Sequence, residues 1–436
     1  VSEFSQEVLY LLLIFGLMVV PRILQRWRVP APITSFGLGM AAAWLLAGSA
    51  ADPTVALLAS LGISSLFLFA GLEIELSDFV RGRWPLLGHL LLRAATLCVM
   101  VIAGVHWFDL RWQVAALLAL ALVTPSTGFI LETLPQLGLD AEEAFWVRLK
   151  AIGGELLALL VLFVVLQSES LQGLAVASTA LLAMIAGLPL LFLVLGRLVI
   201  PYARGSEFSL LVMVGFVAAF ATYKLGVYYL VGAFLAGFAA RVLRGRLPTL
   251  ASDTNLHAIQ MFASFFVPFY FFHKGMGVPR DAATVEALLL GLLLTVVALP
   301  ARLALVWGQR RFIKGESGRA SLRVAVALSP TLIFTLVLAT ILRERFALED
   351  RWYGALLVYA GLTTILPSLV LSRPFDLGLT TAVPNPDGHT GPSGVRASTP
   401  PDNHPEAAAQ DPGPSLSGSE PPPGSAAATA GMQKSS

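Results

Sequence analysis

Charge is what this chain has least of. Only 13% of its 436 residues are charged while 56% are hydrophobic, and that balance excludes an ordinary soluble protein. Cysteine occurs once, as Cys98, so no internal disulfide can form. The 6 histidines are scattered, which leaves no ligand spacing for zinc or haem. HExxH, CxxC, Walker and GxSxG patterns are missing, and no nucleophile–base pair stands out. An enzyme, a resident metal, a cofactor and a nucleic-acid partner are therefore not expected. The net charge of +2 says little about partners.

What is present is apolar sequence in span-length pieces. A membrane crossing needs about 20 such residues, and about thirteen pieces qualify: 8–24, 32–50, 55–72, 85–107, 112–134, 144–167, 174–200, 207–225, 227–243, 258–278, 283–308, 319–342 and 352–372. The reading is an all-α polytopic membrane protein over residues 1–372. The first segment lacks a basic n-region and a small-residue cleavage site, so it reads as a retained helix. From Arg373 the composition turns to Pro, Gly, Ser and Ala. Such a segment buries too little apolar surface to offset its ordering entropy, so 373–436 is expected to be a disordered cytoplasmic tail. It contains no glycine-rich nucleotide motif and no strand–helix alternation.

Loops after odd-numbered spans are mostly basic: Arg26 and Arg28, Arg81 and Arg83, Arg204, Arg241 with Arg244 and Arg246, then Arg310, Arg311 and Lys314. The other side carries Asp52, Asp109, Glu169, Asp281, Glu349 and Asp350. The positive-inside rule then puts the N-terminus outside and the C-terminus in the cytoplasm. The acidic run Asp140, Glu142, Glu143 opposes the trend, but acids weigh little in orientation.

Two spans are interrupted by the same chemistry, Val123-Thr124-Pro125-Ser126-Thr127 and Leu328-Ser329-Pro330-Thr331. They are the fifth and the twelfth, which places them at matching positions in two six-span halves joined by the seventh. An odd linker span inverts the second half. Paired interruptions of this kind mark the substrate site of inverted-repeat transporters. Pro125 and Pro330 have no N–H and clash with the carbonyl four residues back, so the carbonyls of Ala121 and Val326 lose their helical partners. At membrane depth bare backbone is tolerated only where it lines a wet cavity or is buried in protein.

Intramembrane charges add to this, since each costs about 3 kcal/mol at the bilayer centre. Glu155 follows Gly153-Gly154 and lies about 15 Å into the sixth span at 1.5 Å per residue, near the midplane. It is a functional candidate, or else a carboxylate that merely satisfies an internal arginine. Arg302, about 12 Å from the inner end of the eleventh span, is its expected partner, because an unpaired buried charge is costly. The bridge either ties two helices or tunes the acid's hold on a proton. Thr124, Ser126, Thr127 and Thr331 offer hydroxyl oxygens beside the breaks, although such residues also back-bond within membrane helices. With one carboxylate they make a hard-ligand set suited to sodium or potassium. Three further candidates are weaker. Glu73, at the inner end of the third span, reads mainly as structural. Lys274 either snorkels to the outer surface or lines an access path. Lys150 and Arg148 are expected to snorkel to the inner interface, whereas Arg93 lies too deep and needs a partner of its own.

At these residues the chain resembles the monovalent cation/proton antiporter-2 family, in places its Kef-type potassium/proton members. Leu110-Arg111-Trp112-Gln113-Val114-Ala115 and Gly232-Ala233-Phe234-Leu235-Ala236-Gly237 carry the likeness. Ala70-Gly71-Leu72-Glu73 is similar to the family's GLE motif, and Phe271-Phe272-His273-Lys274-Gly275-Met276 to its FFxxGM motif. The resemblance covers residues 8–372. It implies a sodium/proton antiporter-like fold with a dimerisation domain of spans 1–3 and 8–10, a mobile core of spans 4–6 and 11–13, and two broken helices crossing at the centre. It implies a homodimer, expected in a bacterial inner (plasma) membrane. Glu155 falls where the family places its cation- and proton-binding aspartate, Arg302 on its basic residue, and Thr124 to Thr127 on its unwound stretch. The chain departs in having Gly154-Glu155 for a polar residue and aspartate, and Thr331 where the Kef-like GEF glutamate would stand. Nucleotide or glutathione gating is not expected. Together these readings predict a secondary active transporter that exchanges a monovalent cation for protons, both competing for Glu155. The alternatives are a gated potassium or cation efflux pathway on the same fold, and a membrane sensor that has lost transport.

Overall fold

A computed structural model describes residues 3–45, 52–168, 170–203, 205–225, 229–313 and 315–371. The tail 373–436, the end of the second predicted span, and Glu169, Arg204 and Lys314 lie outside the described residues. All regular structure among the described residues is helical: α1 Glu3–Leu24, α2 Ala31–Leu45, α3 Pro53–Leu72, α4 Leu76–Arg81, α5 Arg83–Phe108, α6 Trp112–Val123, α7 Thr127–Thr133, α8 Ala141–Gln167, α9 Leu171–Leu198, α10 Glu207–Lys224, α11 Tyr229–Val242, α12 Asp253–Met276, α13 Val285–Gly308, α14 Gly318–Ala327, α15 Leu332–Phe346 and α16 Asp350–Val370. A helix or a broken pair lies on every predicted span. Among the described residues 9 of these units are long and apolar enough to cross a membrane alone, or up to 10 if the α14–α15 pair, bent by 46°, is one span. Two of the others fall short by length: α2 has 15 residues and α11 has 14.

Local sequence sets the helix starts. Asp52 accepts from the N–H groups of Thr54 and Val55 with Pro53 at the first helical position of α3, where a missing N–H costs nothing. Asp140 and Glu143 form a reciprocal capping box on α8, and Ser252, Thr284 and Ser317 cap α12, α13 and α14. Prolines inside α9, α12, α13 and α16 do not stop those helices, because neighbouring packing compensates in membrane bundles.

The helices associate in two groups. In one, α12 packs on α2 and α3, and α11 on α3 and α10. In the other, α13 packs on α16, α16 on α15, α15 on α6 and α6 on α5. The first group is held by bare backbone contact. A Cβ on Gly71 would fall on the Phe234 carbonyl oxygen, and one on Gly237 on that of Leu68. Gly39 and Gly275 do the same between α2 and α12, meeting the carbonyls of Phe272 and Phe36. Small residues are the means by which membrane helices approach closely. Lipid-type surface is carried by α5, α9 and α13, where Leu91, Val99, Leu182, Leu190, Val296 and Val297 are exposed.

These glycines predict a mutational outcome. Gly237→Val has to push α11 off α3 and should destabilise the protein by about 1–3 kcal/mol, the usual cost of overpacking. Gly187→Val, where nothing lies within 4 Å of the added carbon, should be near neutral in the same thermal unfolding measurement.

Candidate functional site

The two breaks meet, and they satisfy each other. Pro125 frees the Ala121 carbonyl, and the Thr335 hydroxyl of α15 donates to it at 2.7 Å. The next two carbonyls of α6 are taken as well: Tyr359 Oη donates to Leu122 O at 2.5 Å, and Arg93 donates to Val123 O. At the second break Arg302 donates to the carbonyls of Ser329, at 3.1 Å, and Leu328, at 3.2 Å. It also donates to Tyr359 Oη at 3.0 Å. The Val326 carbonyl accepts from Ser329 N at 3.0 Å, and Pro330 O from Ser126 N at 2.8 Å. None of the freed carbonyls named in advance is left bare.

Each break also creates a helix N-terminus, where unpaired N–H groups carry partial positive charge. For α15 the acceptor is the Ser126 hydroxyl oxygen, which takes Ile333 N at 2.9 Å and Phe334 N at 3.3 Å. For α7 it is the Glu155 carboxylate, whose Oε2 accepts Thr127 N at 3.0 Å. Glu155 is 4% exposed. The crossing thus pairs two negative helix ends with two guanidiniums and two positive ends with a carboxylate and a hydroxyl.

Several expectations are corrected by this geometry. Arg302 is not the charge partner of Glu155: it forms no ion pair with the acid among the described residues, and its three bonds go to two carbonyls and to Tyr359. The guanidinium beside the acid belongs to Arg93, since a Cβ on Gly154 would lie 2.8 Å from Arg93 Nη1. The two glycines before Glu155 make room for side chains of α5, Leu86 against Gly153 and Arg93 against Gly154. Ser126 already accepts two N–H groups and acts as a helix cap, so its oxygen is poorly placed to ligate a cation too. Thr331 Oγ1 is paired with Thr363 Oγ1 at 3.0 Å. Lys150 does not snorkel: it is 1% exposed and donates to Gln309 Oε1 at 2.8 Å.

The remaining candidates divide. Thr124 and Thr127 are buried with hydroxyls that have no hydrogen-bond partner, and the Thr127 side chain faces the Glu155 carboxylate without bond geometry. These two oxygens and the carboxylate are what the site has left to offer a ligand. Glu73 pairs with Arg148 at 3.8 Å beyond the end of α3, and Lys274 sits 6.0 Å from the Tyr270 ring centroid; neither makes a contact at the crossing. Beside the arginines is a cavity of about 40 Å³ lined by His89, Arg93, Val123, Arg302, Leu328 and Ser329. Sequence reasoning missed Tyr359, Thr335, Thr363 and the role of Arg93. For Arg93 a signal existed, since Arg93 and Arg302 each sit in the span before a broken one. Tyr359 and Thr335 carry no such mark.

The carbonyl accounting is testable. Thr335→Val keeps the shape and removes the donor, leaving Ala121 O buried and unpaired, which costs about 1–3 kcal/mol. Thr295→Val, which loses only a bond to Gly291 O within its own helix, should shift the thermal midpoint far less.

Comparison with known proteins agrees with this architecture. Residues 10–376 match the family described as sodium/hydrogen exchanger, transmembrane. Two solved structures of the sodium proton antiporter MjNhaP1 from Methanocaldococcus jannaschii, one of them at pH 8, align over 85% of this chain and 96% of theirs with a TM-score of 0.60, at 15% and 16% identity. That likeness speaks for the fold. No curated protein matches the chain. With the family match running through both broken spans and the packed helices around them, the chain belongs to the transmembrane sodium/hydrogen exchanger family.

Proposed function

We propose that the chain exchanges a monovalent cation, sodium or potassium, for protons by alternating access, and that both ions compete for Glu155. The observation that carries this is the state of that carboxylate. It is buried at the crossing, accepts one backbone N–H, and forms no salt bridge among the described residues. The Thr127 hydroxyl faces it, and the unpartnered Thr124 hydroxyl lies in the same break three residues earlier; with the carboxylate they are hard oxygen donors. A carboxylate so placed needs a positive occupant, and a proton and a small cation are alternatives at the same oxygens.

Arg93 and Arg302 hold the frame and do not carry protons, because a guanidinium stays charged in proteins. Their task is to neutralise the negative ends of α6 and α14 so that the break stays formed while the occupant changes. With one central acid, one proton exchanges for one cation and the cycle is electroneutral. The wider reading follows the same lines. Two inverted six-span repeats account for two matching breaks, each preceded by a span with one deep arginine. The group around α2, α3, α11 and α12 would be the dimerising scaffold, and the group around α5, α6 and α13 to α16 the moving core. We further propose about thirteen spans, a homodimer in a bacterial inner membrane, the N-terminus outside and the tail 373–436 in the cytoplasm. The motif order favours the antiporter-2 branch of the family, and Gly154-Glu155 leaves sodium and potassium both in play.

The deciding measurement is cation-driven proton movement in proteoliposomes with a trapped pH dye, using sodium, potassium and lithium. Wild-type protein should respond with saturation, and Glu155→Gln should lose the response while still inserting and folding. Retained exchange in that variant would mean that another acid carries the ions. A non-saturating flux without opposite proton movement points to a channel-type pathway, and no flux in sealed vesicles to a transport-inactive protein. The one-to-one cycle has its own check: an imposed membrane potential should leave the exchange rate unchanged, and acceleration by the potential would defeat it.

A further inference from the structure

A second acid, Glu132, lines two cavities of the protein, and what it does there rests on the exchange reading above. Glu132 lies near the end of α7, the half-helix whose other end is held by Glu155. Five residues separate it from Thr127, about 8 Å along the axis. Two cavities, of about 400 Å³ and about 150 Å³, both have Glu132 in their walls. They share Gln25, Ala31 and Pro32 as well, so Glu132 sits at their junction. Their walls come from both helix groups. Val267, Pro268 and Phe271 of α12 line the smaller cavity, and Ser368 at the end of α16 lines the larger.

The chemistry of this position is unusual. Glu132 makes no hydrogen bond or ion pair among the described residues, although it is only partly exposed. It also occupies the last turn of its helix, where carbonyl dipoles disfavour negative charge. A carboxylate held there without a partner favours a proton or a cation. Neutral oxygens of Gln25, Gln136 and Ser264 lie in the same walls. The charged groups that face it are Arg22, Arg26 and Arg28, from the end of α1 and the turn after it. They are exposed and form no pair with it. α12 and α16 bring no titratable group to these walls.

We propose that Glu132 is a second exchange site for the same ions, a vestibule carboxylate that takes up a proton or a monovalent cation on its way to or from Glu155. The three rim arginines keep that occupancy weak, and a relay needs an occupant that leaves as readily as it arrives.

The test uses purified full-length protein in weakly buffered detergent with a pH dye, to which sodium chloride is added across a pH series, with choline chloride as the ionic-strength control. Sodium should displace protons from the wild type, and Glu132→Gln should release fewer. Glu155→Gln should keep a residual release that disappears in the Glu132→Gln, Glu155→Gln double variant. Glu132→Asp should restore release with a shifted pH profile, which a merely structural role would not produce. Wild-type release from Glu132→Gln, a double variant that equals Glu155→Gln, or no wild-type release would each overturn the proposal. If Glu155→Gln itself retains exchange in vesicles, the central-site reading fails while the Glu132 comparison still decides its own case.

Discussion

Everything at the centre of this protein follows from one constraint: a broken helix inside a membrane exposes backbone dipoles that water cannot reach. The sequence breaks two helices at their middles and therefore creates four half-helix ends. The fold answers each end with a group of the right sign. Arg93 and Arg302 serve the carbonyl ends, and Glu155 and Ser126 serve the N–H ends. Tyr359 accepts from Arg302 and donates to Leu122 O, so the two breaks share a single hydrogen-bonded chain. The acid proposed to bind ions is thus also one of the four capping groups. An occupant that draws on its charge alters how firmly α7 is held.

The scaffold solves a different problem by different means. There the helices touch backbone to backbone through Gly71, Gly237, Gly39 and Gly275, with hardly any polar contact needed. One half of the molecule is thus fixed by shape and the other by a polar network. A fully satisfied buried network specifies one arrangement as firmly as tight packing does, and it becomes costly as soon as one member loses its partner.

Much of this was legible in the sequence, and the limits have physical reasons. The breaks at Pro125 and Pro330 could be read because proline acts on its own helix, four residues back. The depth of Glu155 and Arg302 could be read because rise per residue is constant. Which arginine lies beside Glu155 could not, because that depends on how α5 and α13 are rotated about their axes. Both helices are apolar on most faces, so no amphipathic stripe records the rotation. Ser126 and Thr331 were ranked with Thr124 and Thr127 for the same reason: spacing places a hydroxyl near a break but does not say which N–H or hydroxyl claims it first. Lys150 looked able to snorkel by length alone, and only the fold shows Gln309 waiting for it inside.

The distance in sequence between partners at the crossing has a consequence for how the chain is made. Thr335 and Ala121 are 214 residues apart, and Ser126 and Ile333 are 207 apart. A ribosome adds about 5–20 residues per second, so α6 and α7 spend ten seconds or more in the membrane before the groups that complete them emerge. During that interval the Ala121 carbonyl and the Ser126 hydroxyl are without the partners they have in the finished fold. The centre of the protein is the last part to become whole, and its birth is a wait held open by the first half for the second.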